Sequence, residues 1–166
     1  KDYFYTDQFN NIGSYLAHLE TGNEIAGQLD KYYSQLEEII LIGCAGTGAS
    51  FAGVSDSLEN NGYKVTRVLV EPKGCDSKNN IFIDHPMEGM SVGVKAPFIN
   101  WEKIDEYYYA EIEKLDCSKK EIYSKVGLLV GNTSAACYQA VKFHKNKCSD
   151  KRKILTFFYD SGIWYK

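Results

Sequence analysis

Apolar and polar residues alternate along this chain in two rhythms, and those rhythms place its elements. Residues 11–36 read as helical, in two pieces broken near Thr21-Gly22. Thr21 is placed to cap the second piece, and Glu24 three residues on completes a capping box, in which the two side chains satisfy amides at a helix start. Ile39-Ile40-Leu41-Ile42-Gly43 is a short apolar run ending in glycine. A strand covered on both faces, as in a parallel sheet, has that signature. The glycine-rich turn Cys44-Ala45-Gly46-Thr47-Gly48-Ala49-Ser50 follows. Over residues 50–60, Phe51, Val54 and Leu58 share one helical face, and Asn61-Gly62 stops the helix.

Lys64-Val65-Thr66-Arg67-Val68-Leu69-Val70 is rich in β-branched residues and predicts the next strand. Strand, turn, helix and strand make a βαβ unit with a parallel crossover. Residues 72–100 carry Pro72, Gly74, Pro86, Gly89, Gly93 and Pro97 and read as loop. A loop of that length usually has a functional reason. A strand is expected over 105–112, helices over 118–126 and 134–147, and a late buried strand at Ile154-Leu155-Thr156-Phe157-Phe158. The expected fold class is α/β: a mostly parallel sheet flanked by helices, in a single domain spanning 1–166.

Composition narrows the function classes. The 166 residues are 44% hydrophobic and 25% charged, which is enough for a core and argues against disorder. A net charge of -3 offers no broad attraction to nucleic acid or to an anionic membrane. The local run Lys145, Lys147, Lys151, Arg152 and Lys153 reads as a solvated turn before a strand. No apolar stretch approaches the roughly 20 residues that span a bilayer. The five cysteines are odd in number, widely spread and form no C-x-x-C pair. Neither a disulfide framework nor a metal site is expected, and reduced thiols fit a cytoplasmic location. The chain opens at Lys1 within an aromatic-rich segment, which reads as a fragment boundary.

The glycine turn is the strongest chemical signal. Amides at a helix start have no partner within the helix, and with the helix dipole they favour an anion. Glycines let backbone approach a phosphate, and Thr47 and Ser50 add hydroxyl donors. A tight turn without ligand would use the same residues. So would a dinucleotide site, with Glu71 as the ribose-binding acid at the end of the following strand. The spacing, however, is G-x-x-G-x-G rather than G-x-G-x-x-G. On the residues alone, a nicotinamide dinucleotide and pyridoxal phosphate both remain open.

Separated segments carry a family resemblance. Asp7-Gln8-Phe9-Asn10-Asn11, with His18, Thr21, Gly22 and Glu24-Ile25, is similar to the segment entering the large domain of cysteine synthases and cystathionine β-synthases. Gly46-Thr47-Gly48-Ala49-Ser50 resembles their G-T-G-G-T phosphate loop, and Val68 to Pro72 their V-x-V-E-P strand. HPMEGMSVGV, His85 to Val94, resembles E-G-I-G-x-G-F. Gly127 to Ala136 resembles G-I-L-A-G-I-S-S-G-A, and Asp160-Ser161-Gly162 with Tyr165 resembles P-D-S-G-E-R-Y. The segments keep the family's order and cover nearly the whole chain.

The resemblance implies part of the large α/β domain of a fold type II pyridoxal-phosphate enzyme, one that exchanges the β-substituent of an activated serine-type amino acid such as O-acetylserine for sulfide or a related nucleophile. It implies that Gly46, Thr47, Gly48, Ala49 and Ser50 hold the cofactor phosphate. Thr133 then meets the pyridine nitrogen and Asp160 lies near the ring. Gln8 lies near the substrate carboxylate, and Gly89 belongs to the loop facing the substrate side chain. It implies a parent that dimerises. The family's lysine, which holds the cofactor and moves the α-proton, lies upstream of every matching segment, so a missing amino-terminal half is expected and this chain alone should be inactive. Ser118-Lys119-Lys120 and Ser149-Asp150-Lys151-Arg152 read as solvated helix starts or turns rather than that lysine motif. A non-catalytic phosphate-ligand or partner-binding domain, and a dinucleotide-binding domain, are the competing readings.

The chain departs from the family pattern at Ala49 and Ser91, each in place of a glycine, at Tyr159 in place of proline, and at Ile163-Trp164 in place of E-R. Ala49 is tolerable only where positive φ is not needed. Ser91 would narrow or polarise the substrate pocket. Among the other residues weighed, His18 reads as structural, His85 as a pocket residue and His144 as a surface helix residue. Cys44 and Cys137 read as small core hydrophobes, and Tyr107-Tyr108-Tyr109 as a half-buried strand.

Overall fold

The computed structural model describes residues 3–164, and Tyr165 of the last matching segment lies outside them. Four strands form one parallel sheet: β1 (Glu38–Gly43), β2 (Lys64–Pro72), β3 (Glu106–Ala110) and β4 (Arg152–Thr156). Their spatial order is β3-β2-β1-β4. Among the described residues four α-helices accompany them: α1 (Ile12–Tyr32), α2 (Ala49–Asn60), α3 (Leu115–Val126) and α4 (Asn132–His144).

The pleat of β1 explains why its sequence is apolar without alternation. Ile39 and Leu41 pack into one core with Ala26 of α1 and with Phe51, Val54 and Leu58 of α2. Ile40 and Ile42 face the opposite core, with Leu115 of α3 and with Ala135, Ala136 and Ala140 of α4. Successive side chains point to opposite faces, so a central strand covered on both sides needs every position apolar. β4 is half-buried along its length, and among the described residues only β1 pairs with it.

The chain leaves β1 through α2 to β2 on one side, while β4 returns to its other side. The carboxyl end of β1 is therefore a topological switch point, the place where open α/β sheets form their crevices.

Three expectations need correction. Residues 12–32 are one continuous helix, not two. Thr21 donates its hydroxyl to the Ala17 carbonyl one turn back, at 3.2 Å, instead of capping. The cap is Asn11, whose side chain accepts from the Gly13 amide. Gly22 is a contact residue, not a breaker: a Cβ there would lie 2.4 Å from Ser57 Cβ and 3.2 Å from Val54 Cα. Glycine at this point lets α1 and α2 touch almost backbone to backbone. His144, read as a surface residue, is 1% exposed. Its Nδ1 meets the Ala140 carbonyl at 2.8 Å and its Nε2 meets Glu106 at 2.9 Å, tying α4 to β3. The basic run is partly paired, Lys147 with Glu106, Lys151 with Glu37 and Arg152 with Glu38. Its last two members already belong to β4.

Among the described residues no helix is long and apolar enough to cross a membrane. All five cysteines are free thiols.

Candidate functional site

A cavity of about 370 Å³ opens at the switch point. Its walls come from four places: Gln8 near the amino terminus, Cys44, Gly46, Thr47, Gly48 and Ser50 after β1, Glu88 and Gly89 of the long loop, and Thr133, Tyr159 and Asp160 around α4 and the end of β4. Of the residues expected to hold the cofactor or substrate, all line it except Ala49. That residue is 2% exposed, and its side chain is packed away from the opening.

The turn after β1 is shaped by one residue in the left-handed region. Gly48 has φ 86° and stands at the N-cap of α2. A Cβ on Gly48 would also lie 2.5 Å from Ile99. Ala49 is the first helical residue and does not have positive φ, so alanine is accommodated there. Among the described residues none accepts a hydrogen bond from the amides of Gly46 or Gly48. The Thr47 carbonyl accepts from the Phe98 amide at 3.1 Å, which fastens the turn from behind. Uncommitted amides at a helix start, with Thr47 and Ser50 hydroxyls beside them, make an anion cradle. The donor set fits a phosphate monoester.

Thr133 stands across the cavity, near the start of α4. Its hydroxyl donates to the Glu88 carbonyl at 2.5 Å. Asp160 accepts from the Ser134 hydroxyl at 2.9 Å, and Ser134 Oγ also accepts from the Tyr159 amide at 2.9 Å. Gln8 follows Asp7, whose φ is 44°; the amides of Asn10 and Asn11 both donate to the Asp7 carbonyl at 2.9 Å. That tight turn carries Gln8 to the cavity mouth.

Sequence reading missed Tyr159 as a wall residue. Although about a third of its surface is exposed, its hydroxyl turns inward and accepts from the Cys44 amide at 3.1 Å. Burial of that hydroxyl pushes the phenol well above its ordinary range. A proline here could not donate to Ser134. The available signal was position: Tyr159 directly precedes Asp160 beyond a strand at the switch point. Cys44 lines the floor, and a hydrogen bond with Cys44, together with burial, keeps the Cys137 thiol well up and protonated.

Ser91 does not narrow this cavity. It is 6% exposed and its hydroxyl is turned toward Ser77, 3.3 Å away. It lines a second, neighbouring cavity with His85. Glu71 is 2% exposed and accepts from the Ser77 amide at 3.0 Å. It is not part of the cavity wall, where a dinucleotide site would have placed it as the ribose-binding acid.

The family described as pyridoxal-phosphate dependent enzyme matches residues 1–160. The O-acetylserine dependent cystathionine beta-synthase of Bacillus subtilis is 31% identical over 121 residues, which are 73% of this chain and 39% of that protein. A probable cysteine synthase of the same organism is 28% identical over 161 residues, 95% of this chain and 51% of that protein. Among solved structures, a hydrogen sulfide-producing enzyme from Fusobacterium nucleatum superposes with a TM-score of 0.84 at 27% identity, covering 100% of this chain and 55% of the other. The chain thus spans about half or less of the length of these relatives.

Proposed function

Because this chain belongs to the pyridoxal-phosphate-dependent enzyme family, we propose that it builds the phosphate-binding half of a cysteine synthase-like enzyme. The reaction would replace the β-substituent of an activated serine-type amino acid, O-acetylserine or a close analogue, with sulfide or a related nucleophile. The observation that carries this reading is the cavity at the end of β1. It offers amide and hydroxyl donors at one end and a hydroxyl at the other, and its described lining contains neither lysine nor arginine.

Bound pyridoxal phosphate supplies an aldehyde for the substrate amine and a ring that withdraws electrons from the α-carbon. The protein residues then divide the work. Gly46, Thr47, Gly48 and Ser50 hold the phosphate through amides and hydroxyls, while Ala49 packs the helix start behind them. Thr133, whose hydroxyl now donates to the Glu88 carbonyl, would be the residue to meet the ring nitrogen. A neutral hydroxyl cannot balance a protonated ring nitrogen as a carboxylate would, which suits loss of a β-substituent. Asp160, held by Ser134, would lie near the ring. Gln8 offers its side-chain amide to the substrate carboxylate, and Gly89 leaves room for the substrate side chain.

The described lining holds no lysine, so the lysine that holds the cofactor and moves the α-proton would come from the missing amino-terminal half, and the chain alone would be inactive. The complete enzyme acts as a homodimer in the cytoplasm.

Intact-mass spectrometry after incubation with pyridoxal phosphate and borohydride reduction tests the reading. The expected result is no lysine-specific adduct, together with saturable cofactor binding that Thr47→Ala and Ser50→Ala weaken. A single adduct on one lysine, abolished by those substitutions, would overturn the split assignment.

A further inference from the structure

We propose that Ser91 is a positioning residue, pinned by Ser77, that sets the loop over the cavity. The proposal rests on the cofactor reading given above. Its starting point is a conformation: Ser91 has φ 48°, in the left-handed region that residues with a Cβ rarely adopt. The resembling family motif has glycine at this position. A side chain that accepts such backbone strain needs compensation from its surroundings.

Three contacts converge on Ser91. Its amide donates to the Ala45 carbonyl at 3.0 Å, directly before the cradle. Its carbonyl lies 3.4 Å from His85 Nε2. The Met87 amide donates to His85 Nδ1 at 3.2 Å, which leaves the proton on Nε2 and directs it at Ser91. Its hydroxyl accepts from Ser77 Oγ at 3.3 Å. Ser77 is 4% exposed, and its own amide is held by the Glu71 carboxylate. A continuous path therefore runs from the end of β2 through Glu71, Ser77 and Ser91 to Ala45.

The loop residues just before Ser91 build the cavity wall. Glu88 gives the carbonyl that Thr133 addresses. The Gly89 carbonyl stands 2.6 Å from where a Cβ on Gly46 would lie. Anchoring Ser91 to Ala45 fixes how closely these two carbonyls approach the cradle. The hydroxyl pair Ser77–Ser91 holds that anchor in an otherwise unfavourable backbone state.

The test combines amide exchange at Ser91 with titration of the full chain by pyridoxal phosphate, for the parent, Ser91→Gly, Ser77→Ala, Ser77→Thr and Thr47→Ala. Loss of the hydroxyl bond should speed exchange of the Ser91 amide but not of the β1 amides. It should weaken cofactor binding about three- to tenfold, the effect of one ordinary hydrogen bond. Ser77→Thr should restore both. Ser91→Gly removes the backbone strain along with the hydroxyl, so its anchor needs no pin and it should bind as the parent does. If Ser77→Ala binds as tightly as the parent and its Ser91 amide exchange is unchanged, the hydroxyl positions nothing and the proposal falls. Should the parent and Thr47→Ala bind equally poorly, the cofactor reading fails. The exchange data then judge the Ser77–Ser91 anchor alone, and unchanged exchange would overturn it.

Discussion

The Thr133 hydroxyl donates to the Glu88 carbonyl across 2.5 Å, so the side chain proposed to meet the cofactor is already committed to the loop facing it. A hydroxyl has one hydrogen to give. Contact with a ring nitrogen must break the contact with Glu88, and binding and loop position are thereby coupled. Thr133→Val keeps the shape and removes the donor. It should lower stability by about 1 kcal/mol and weaken cofactor binding, whereas Thr133→Ser should retain both. Urea unfolding and cofactor titration measure the two effects.

The cradle makes unequal demands on its two small residues at the helix start. Gly48→Ala places a Cβ at positive φ and against Ile99. We expect cofactor binding to be lost and stability to fall by about 1–3 kcal/mol. Ala49→Gly restores the family's residue where no positive φ exists, and should leave binding within about twofold while costing at most about 1 kcal/mol. Loss of binding on Ala49→Gly would contradict this division.

Helix contact distinguishes two glycines of α1. Gly22→Ala drives a Cβ into Ser57 and Val54 and should destabilise the chain by about 1–3 kcal/mol. A Cβ on Gly27 would meet nothing within 4 Å. Gly27→Ala should stabilise by about 0.4–1 kcal/mol through the unfolded state. Thermal unfolding of the two variants should shift in opposite directions.

Acid sensitivity should centre on Arg67. This guanidinium, 5% exposed, donates to Glu59 at 2.6 Å and to Asp56 at 3.0 Å. Its hydrogen bond holds the Glu59 carboxyl down at about 2, against an ordinary value of 4.5. A depressed carboxylate stabilises the fold above its unfolded-state value and loses that contribution as pH falls through the folded one. Glu59→Gln should therefore be less stable than the parent at pH 7. The difference should shrink below about pH 4.5 and vanish near pH 2. Unfolding midpoints measured across that range would show it, and a pH-independent difference would rule out the ion pair as the cause.

The central strand was legible because burial on two faces writes an unbroken apolar run, as in Ile39 to Ile42, whereas the last strand, expected as buried over 154–158, runs Arg152–Thr156 and is half-buried. The cradle was legible because its glycines sit between that run and a helix. Thr21-Gly22 misled because glycine in a helix reads locally as a break, while its reason is a partner helix 30 or more residues on. His144 misled for a related cause: its partner Glu106 lies 38 residues away in sequence. Tyr159 was passed over because its contact with the Cys44 amide spans 115 residues. What escaped was set by long-range contact, not by local pattern.

The position of positive φ at Gly48 changes what the phosphate loop's spelling means. A signature with glycine at the fourth place treats that letter as obligatory, yet here the backbone asks for glycine one step earlier. Any small residue that starts a helix satisfies the fourth place. A loop that a strict motif search would discard can thus keep the backbone shape of the cradle, and the informative letters are those at which a Cβ has nowhere to go.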